Sequence, residues 1–380
     1  MIPRFSLALL LLASAPAAAA AQGTFASQGL GYPFGQLGTR AVSSGGSIGE
    51  LDARSQINPA AVGLWGGRAL YLQYEPEYRR ISGDGIEDAQ RFIRFPVLTG
   101  AISIGPRTTL AFSASSLLDR TGMAREERTE VIGGEEVVFV QTTRSDGAIN
   151  DLRFAGARRI TETVFVGLGI HAITGQIRQF LGWEFETPGF DSLSQRSRSS
   201  FSGLAFSGGA VWLPAQGIAI AGSGRLGAGL TRYVDDTSRG TATVPHRAGI
   251  AVTVDRISGA SFSANVGWDG WTSLEPLARG PAGEGAHVHD TRTMGLGAEI
   301  EGPRMFGAVL PLRIGARWRE LPFSPTAEPV VETSFGGGFG VPLRGGFSTI
   351  DIGLQYARRS SDLAFRERSL LLSMALTIRP

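Results

Sequence analysis

Four histidines and no cysteine in 380 residues leave few groups able to do covalent or metal chemistry. Without cysteine there are no disulfides, no thiolate metal sites and no thiol nucleophile. In "GAHVHD", His287, His289 and Asp290 have a spacing that could hold a metal ion on an extended segment, but a metal needs further ligands and no other histidine is near. No metal site is expected. His171, between Ile170 and Ala172, falls on a face expected to point inward, where a hydrogen-bonded interior role is commoner than a catalytic one. A serine hydrolase would need a serine activated by a histidine, and no Gly-x-Ser-x-Gly elbow stands on a strand-to-helix turn. Gly222-Ser223-Gly224 lies inside a strand-like run instead. The chain reads as a non-enzyme without a cofactor.

The charged residues offer a different chemistry. Glu299, Glu301, Arg313, Arg317, Arg319, Asp351 and Gln355 fall at alternate positions of late strand-like segments and should project to one common side. Carboxylate–arginine pairing would satisfy such charges and hold a neighbouring segment in place. Binding an anionic ligand would instead require an arginine left unpaired. Glu299, Arg313, Arg317, Asp351 and Gln355 are the ligand candidates. Trp183, Phe185 and Phe190, with Leu193, could form an apolar capture surface, or anchor the chain at a membrane interface.

What would position these residues is a sheet. From Arg68 onward apolar and polar residues alternate at period two, as in Ile350, Ile352, Leu354 and Tyr356 against Asp351, Gly353, Gln355 and Ala357. Glycine, at 53 of 380 residues, is about twice its usual share of roughly 7%, and it sits within apolar stretches such as "VGLGIHAITG". Inside a curved sheet glycine relieves crowding, whereas in a helix it is costly. No mature segment carries the run of about eighteen apolar residues that a spanning helix needs. The fold class is all-β.

Some fourteen strand candidates follow, near 68–80, 90–104, 107–118, 147–159, 163–176, 201–213, 217–233, 244–255, 259–271, 291–302, 311–320, 331–342, 347–358 and 368–379. They exceed the usual soluble strand of about five or six residues and suffice to cross hydrocarbon, which takes about nine to eleven tilted residues. Short connections at 105–106, 160–162, 214–216, 256–258 and 343–346 alternate with longer, polar ones, including 177–200 and 234–243. That alternation belongs to a transmembrane antiparallel β-barrel of about fourteen strands, closed because open edges in lipid would strand polar groups. Within 119–146, Gly133-Gly134 marks a hairpin rising above the membrane. Fourteen strands enclose a lumen too wide for wall side chains to fill.

The N-terminus supplies the export signal and an occupant for that lumen. Arg4, the apolar run Phe5 to Ala13 and the small residues Ala17 to Ala21 read as a signal peptide over 1–21. Residues 22–67 carry no clear period and include Asn58-Pro59-Ala60, so they read as a plug, with 68–380 as the barrel. Every one of the 36 basic residues is arginine, and the formal net charge of +2 gives no field suited to nucleic acid.

"INPAAVGLW" (Ile57 to Trp65) and the C-terminal "SFGGGFGVPLRGGFSTIDIGLQYARRSSDLAFRERSLLLSMALTIRP" resemble the long-chain fatty acid transporter (FadL-type) family of outer-membrane proteins. The resemblance implies a bacterial outer-membrane barrel with an N-terminal hatch including Asn58 and Pro59. It implies capture of fatty-acid-like or aromatic molecules outside and their release through the plug or a lateral opening. Outer-membrane lipids and the barrel-insertion machinery would be partners. One branch of the family, PorV-like, instead docks proteins in type IX secretion, which is the alternative function. The chain departs from common barrels in ending on Arg379-Pro380 rather than an aromatic residue.

Overall fold

The computed structural model describes residues 28–379, apart from 84–85, 187–188, 258, 279–284, 306–307, 344–347 and 364–365. The expected signal peptide, residues 22–27 and Pro380 lie outside the described residues.

Fourteen antiparallel strands close into one barrel. They are β1 (Ala69–Gly83), β2 (Ile86–Arg94, resumed as Val97–Ile104), β3 (Thr108–Asp119, resumed as Gly122–Ile132), β4 (Glu135–Arg159), β5 (Val164–Phe185), β6 (Leu193–Ala215) and β7 (Ile218–Val234). Then come β8 (Thr237–Thr243, resumed as His246–Ile257), β9 (Ala260–Gly270), β10 (Thr291–Met305), β11 (Ala308–Glu320), β12 (Val331–Pro342), β13 (Ser348–Ser360) and β14 (Arg366–Ile378). Closure is made by β1 against β14, in register from Leu70 opposite Ile378 to Ser82 opposite Arg366.

The alternation is inverted relative to a soluble sheet. On β1, Leu70, Leu72 and Tyr78 face outward with 48%, 43% and 51% exposure, whereas Gln73, Glu75, Glu77 and Arg79 face inward and are buried. On β14, Leu370, Met374 and Leu376 are outside while Ser373 and Thr377 are buried. Such a surface is unfavourable in water by about 25 cal/mol for each Å² of apolar area left exposed, and favourable in hydrocarbon.

Three strands are longer than the sequence pattern suggests: β4 has 25 residues, β5 has 22 and β6 has 23. Much of the connection expected at 177–200 is therefore strand, pairing above the level that lipid requires. The expected hairpin is present, turning at Gly133-Gly134 with φ of +66° and +95°. The longer loop expected at 234–243 is instead a two-residue turn, Asp235-Asp236, with φ of +47° and +67°. Short acidic side chains tolerate that left-handed backbone, and the polar composition of Thr237–Thr243 concealed a solvated strand.

Residues 28–67 lie inside the barrel. They contain a helical turn at Thr39–Ser43 and a 3-10 turn at Pro59–Trp65, whose cap Asn58 accepts from the Ala60 amide at 2.9 Å. Part of the glycine excess is explained here. A Cβ at Gly315, Gly295 or Gly167 would collide with the backbone of Ser44, Gly45 or Ala60, so these wall positions let the segment lie flat against the strands.

Candidate functional site

The segment 28–67 is fastened to the wall on several sides. Thr39 Oγ1 and Ser373 Oγ are 2.8 Å apart, and Ser47 Oγ meets Ser263 Oγ at 2.5 Å. Gln56 donates to Thr99 Oγ1 at 2.5 Å and accepts from Arg153 at 2.7 Å. Asn58 donates to the carbonyls of Glu50 and Ala210. Buried Glu50 accepts from Ser223 at 2.6 Å and Arg247 at 2.7 Å.

Most of the charged candidates belong to this fastening. Arg40 of the segment makes a two-point contact with Glu299 at 3.0 and 2.9 Å. Arg313 donates to Glu299 at 2.6 Å and to Asp351 at 2.7 Å, giving a continuous chain across β10, β11 and β13. Gln355 donates to Ser334 Oγ at 2.9 Å. Glu301, expected to point inward with the others, is exposed at the last regular position of the β10–β11 pairing, opposite Pro311, just before the register shifts. Arg317 has no ion-pair partner among the described residues, and its buried Nε has no hydrogen-bond partner.

The lumen has two unlike halves. On the β3–β8 side its long-loop half is apolar: Leu30, Ile149, Ile173, Phe201, Trp271 and Phe323 belong to one buried cluster. Trp271–Leu274 and the helical turn Glu275–Ala278 dip into it from the loop after β9. On the β1, β11, β12 and β13 side the lining is charged. Arg319 and Arg359 each donate to Glu332 at 2.6 Å, and both guanidiniums lie over the Tyr32 ring, 4.7 and 4.3 Å from its centre. Tyr32 donates its hydroxyl to Glu332 at 2.6 Å, and burial pushes its phenol above the ordinary range, which keeps it a donor. Between the halves is a cavity of about 130 Å³, lined among others by Phe34, Leu117, Trp271, Arg317, Gln355 and Leu371. A second, of about 200 Å³, lies at the short-turn end beside Leu51, Leu64, Leu213, Ala219 and Glu299.

The wall itself is split beside the first cavity. β2 and β3 pair from Ile104 opposite Thr108 up to Val97 opposite Ser115, followed by a last backbone bond from the Ser116 amide to the Pro96 carbonyl; higher up, the Gln90 side chain donates across the gap to the Met123 carbonyl at 2.5 Å. Above Pro96, Ile86–Arg94 pairs only with β1, and Gly122–Ile132 only with β4, among the described residues. Pro96, which has no N–H, marks the break, and β3 has an irregularity at Ser116–Leu118. The N-terminal segment closes the gap from inside. Tyr32 and Asp119 exchange backbone bonds at 2.8 and 2.9 Å, Phe34 lies under Arg94 at 4.4 Å, and Arg94 also contacts Asp119. Gly31 and Gly35 allow this approach, since a Cβ on either would press on Asp119 or Pro96. Pro96 inside an apolar run is the local sequence signal for the split.

Several solved structures share this barrel fold. A Pseudomonas aeruginosa FadL homologue superposes with a TM-score of 0.58 at 14% identity, over 91% of this chain and 99% of that one. The Ralstonia pickettii toluene transporter TbuX gives 0.59 at 17%, over 94% and 100%. The Pseudomonas putida toluene transporter TodX gives 0.59 at 10%, over 91% and 98%. The fold is that of the FadL-type barrels. No protein-family model and no curated protein matches the sequence.

The remaining candidates find places in this barrel. His171 is buried in the lumen between Asp151 Oδ1 and Ser207 Oγ, each 2.8 Å away, with Gln36 of the N-terminal segment donating to Asp151 at 3.2 Å. Asp151, His171 and Ser207 stand on three neighbouring strands, and their alignment could not be read from sequence spacing. His287 lies in a two-stranded ribbon, His287–Val288 with Phe323–Ser324, and Asp290 accepts from the Thr272 amide and hydroxyl. Among the described residues no three His, Asp or Glu side chains are grouped to hold a metal. Phe185 packs, with tilted rings, against Phe139 at 5.4 Å and against Phe190 at 5.6 Å, while Trp183 is half-buried two positions earlier on β5.

Proposed function

We propose that the protein is an outer-membrane channel for passive entry of hydrophobic small molecules, fatty-acid-like or aromatic, with residues 22–67 as its plug. The observation that carries this reading is the split between β2 and β3, closed by a few residues of the N-terminal segment rather than by a ladder. Molecules caught among the outer aromatic residues pass along the apolar half of the lumen to the cavity beside Phe34 and Trp271. From there the nearest exit is the split, once residues 30–36 move away. Opening it leaves the other ladders of the wall intact. The path needs no energy source, since a partitioning solute moves down its own gradient. The transporters that share this fold are named for toluene in two of the three cases above, which supports the substrate class.

The protein-docking alternative needs a lumen open to a partner's loop. Here residues 28–67 fill the lower lumen and Trp271–Ala278 cover the apolar half above it. The test is entry of radiolabelled toluene and oleate into liposomes containing the purified barrel. Entry faster than in barrel-free liposomes, lost on blocking the split, is the expected result. Equal rates with and without the barrel would overturn the proposal.

A further inference from the structure

The outer face of the wall carries charges for which the transport reading has no use. Arg358 on β13, Arg368 on β14 and Arg80 on β1 stand in one row, Arg358 directly opposite Arg368 and Arg368 directly opposite Arg80. All three are exposed. Their chain neighbours Arg359, Glu367 and Arg79 point inward, are buried, and satisfy one another in ion pairs. No described carboxylate pairs with the outer three. Some other exposed arginines toward the long-loop end have partners: Arg198 contacts Asp236 at 2.9 Å, Arg125 meets Glu184 at 3.5 Å, and Arg196 rests over Phe180. Like charges directly opposite on adjacent strands are destabilising. A row of three on consecutive strands therefore implies a counter-charge from outside the chain.

The height of the row says which counter-charge. In the next register row toward the short-turn end stand Tyr356, Leu370 and Tyr78, all outward-facing and 43%, 46% and 51% exposed. Arg91 lies over the Tyr78 ring at 4.5 Å. Aromatic residues followed at once by cations mark the edge of the hydrocarbon, where lipid head groups begin. Guanidinium forks match phosphate oxygens in paired hydrogen bonds.

We propose that Arg80, Arg358 and Arg368 bind the phosphate groups of an anionic lipid in the outer leaflet, whose acyl chains lie on the apolar belt below. The inference rests on the membrane placement proposed above, with the long-loop end outside. The bound lipid cancels the repulsion along the row and so reinforces the β13–β14–β1 closure, the one ladder joining the two ends of the barrel chain.

The test is native mass spectrometry of the detergent-purified full chain with bisphosphorylated lipid A, with the same lipid after removal of both phosphates, and with inorganic phosphate as competitor. Wild type should retain the bisphosphorylated lipid at least tenfold better than the dephosphorylated one, against millimolar inorganic phosphate. The triple variant Arg80→Gln, Arg358→Gln, Arg368→Gln should lose that preference, and the triple Arg→Lys variant should keep most of it. Equal retention of the two lipids by wild type, displacement by inorganic phosphate, or an unchanged Gln variant would each overturn the proposal. The wild-type comparison decides even where the Gln variant does not fold. Toluene entry through the Gln variant should match wild type, so loss of lipid binding and failure of the channel reading give different results.

Discussion

Gly31→Val should unseat the seal over the split without changing any residue of the wall. Gly31 has φ of +111°, and a Cβ there would press on the carbonyl of Asp119. A β-branched residue held at that backbone angle costs about 1–3 kcal/mol. Relieving the collision separates Tyr32 from Asp119 and removes two backbone bonds, 2.8 and 2.9 Å long, each worth about 1 kcal/mol net. Together these favour the detached state by about 3–5 kcal/mol, a shift of roughly a hundredfold to a few thousandfold in its population, at 1.4 kcal/mol per factor of ten. Hydrogen exchange read on peptides covering 28–36 and 115–122 measures this directly, because the Tyr32 and Asp119 amides exchange only when the bridge opens. Both should exchange at least a hundred times faster, while the β13–β14 amides keep their protection. Toluene entry into liposomes should rise with them. Unchanged protection would refute the contact argument. Faster exchange with unchanged entry would refute the split as the route.

Three further outcomes follow from the same contacts. Glu50→Ala leaves Arg247 without its closest carboxylate, and removing one partner of a buried pair costs about 3–5 kcal/mol, so protease should cleave the 44–58 stretch faster in folded barrels. Deleting Gln22 to Gly66 should leave a folded, heat-modifiable barrel with raised and less selective conductance in planar bilayers; unchanged conductance would mean that the segment is no plug. Trp271→Ala removes a large side chain from the apolar half of the lumen, so the melting temperature should fall while toluene entry quickens; slower entry would place the path elsewhere.

The barrel was legible in the sequence because lipid imposes a strict period-two pattern, and each of the fourteen expected segments corresponds to a strand. Where lipid stops, so does that pattern. The upper parts of β4, β5 and β6 extend past that pattern, and the polar composition of 177–200 reads as loop. The lumen charges were identifiable as a set, but not their partners. Glu299, Arg313 and Asp351 are joined to Arg40, some 260 residues away in sequence from Glu299, and no local spacing encodes that. Arg317 differs from Arg313 only in what the fold brings near it. The split had a local cause in Pro96, whereas the residues that seal it, Tyr32 and Phe34, come from a segment whose sequence has no period to read.

The most direct test of the account joins the seal to the wall. Tyr32 and Asp119 form a hydrogen-bonded antiparallel pair, whose Cα atoms are about 5.5 Å apart in such a bridge, within the range a disulfide spans. The chain has no cysteine of its own, so Tyr32→Cys with Asp119→Cys gives a single possible crosslink. Toluene entry into liposomes should stop in the oxidised double variant and resume on reduction of the same sample. Equal entry in the two states would contradict a route that opens between β2 and β3.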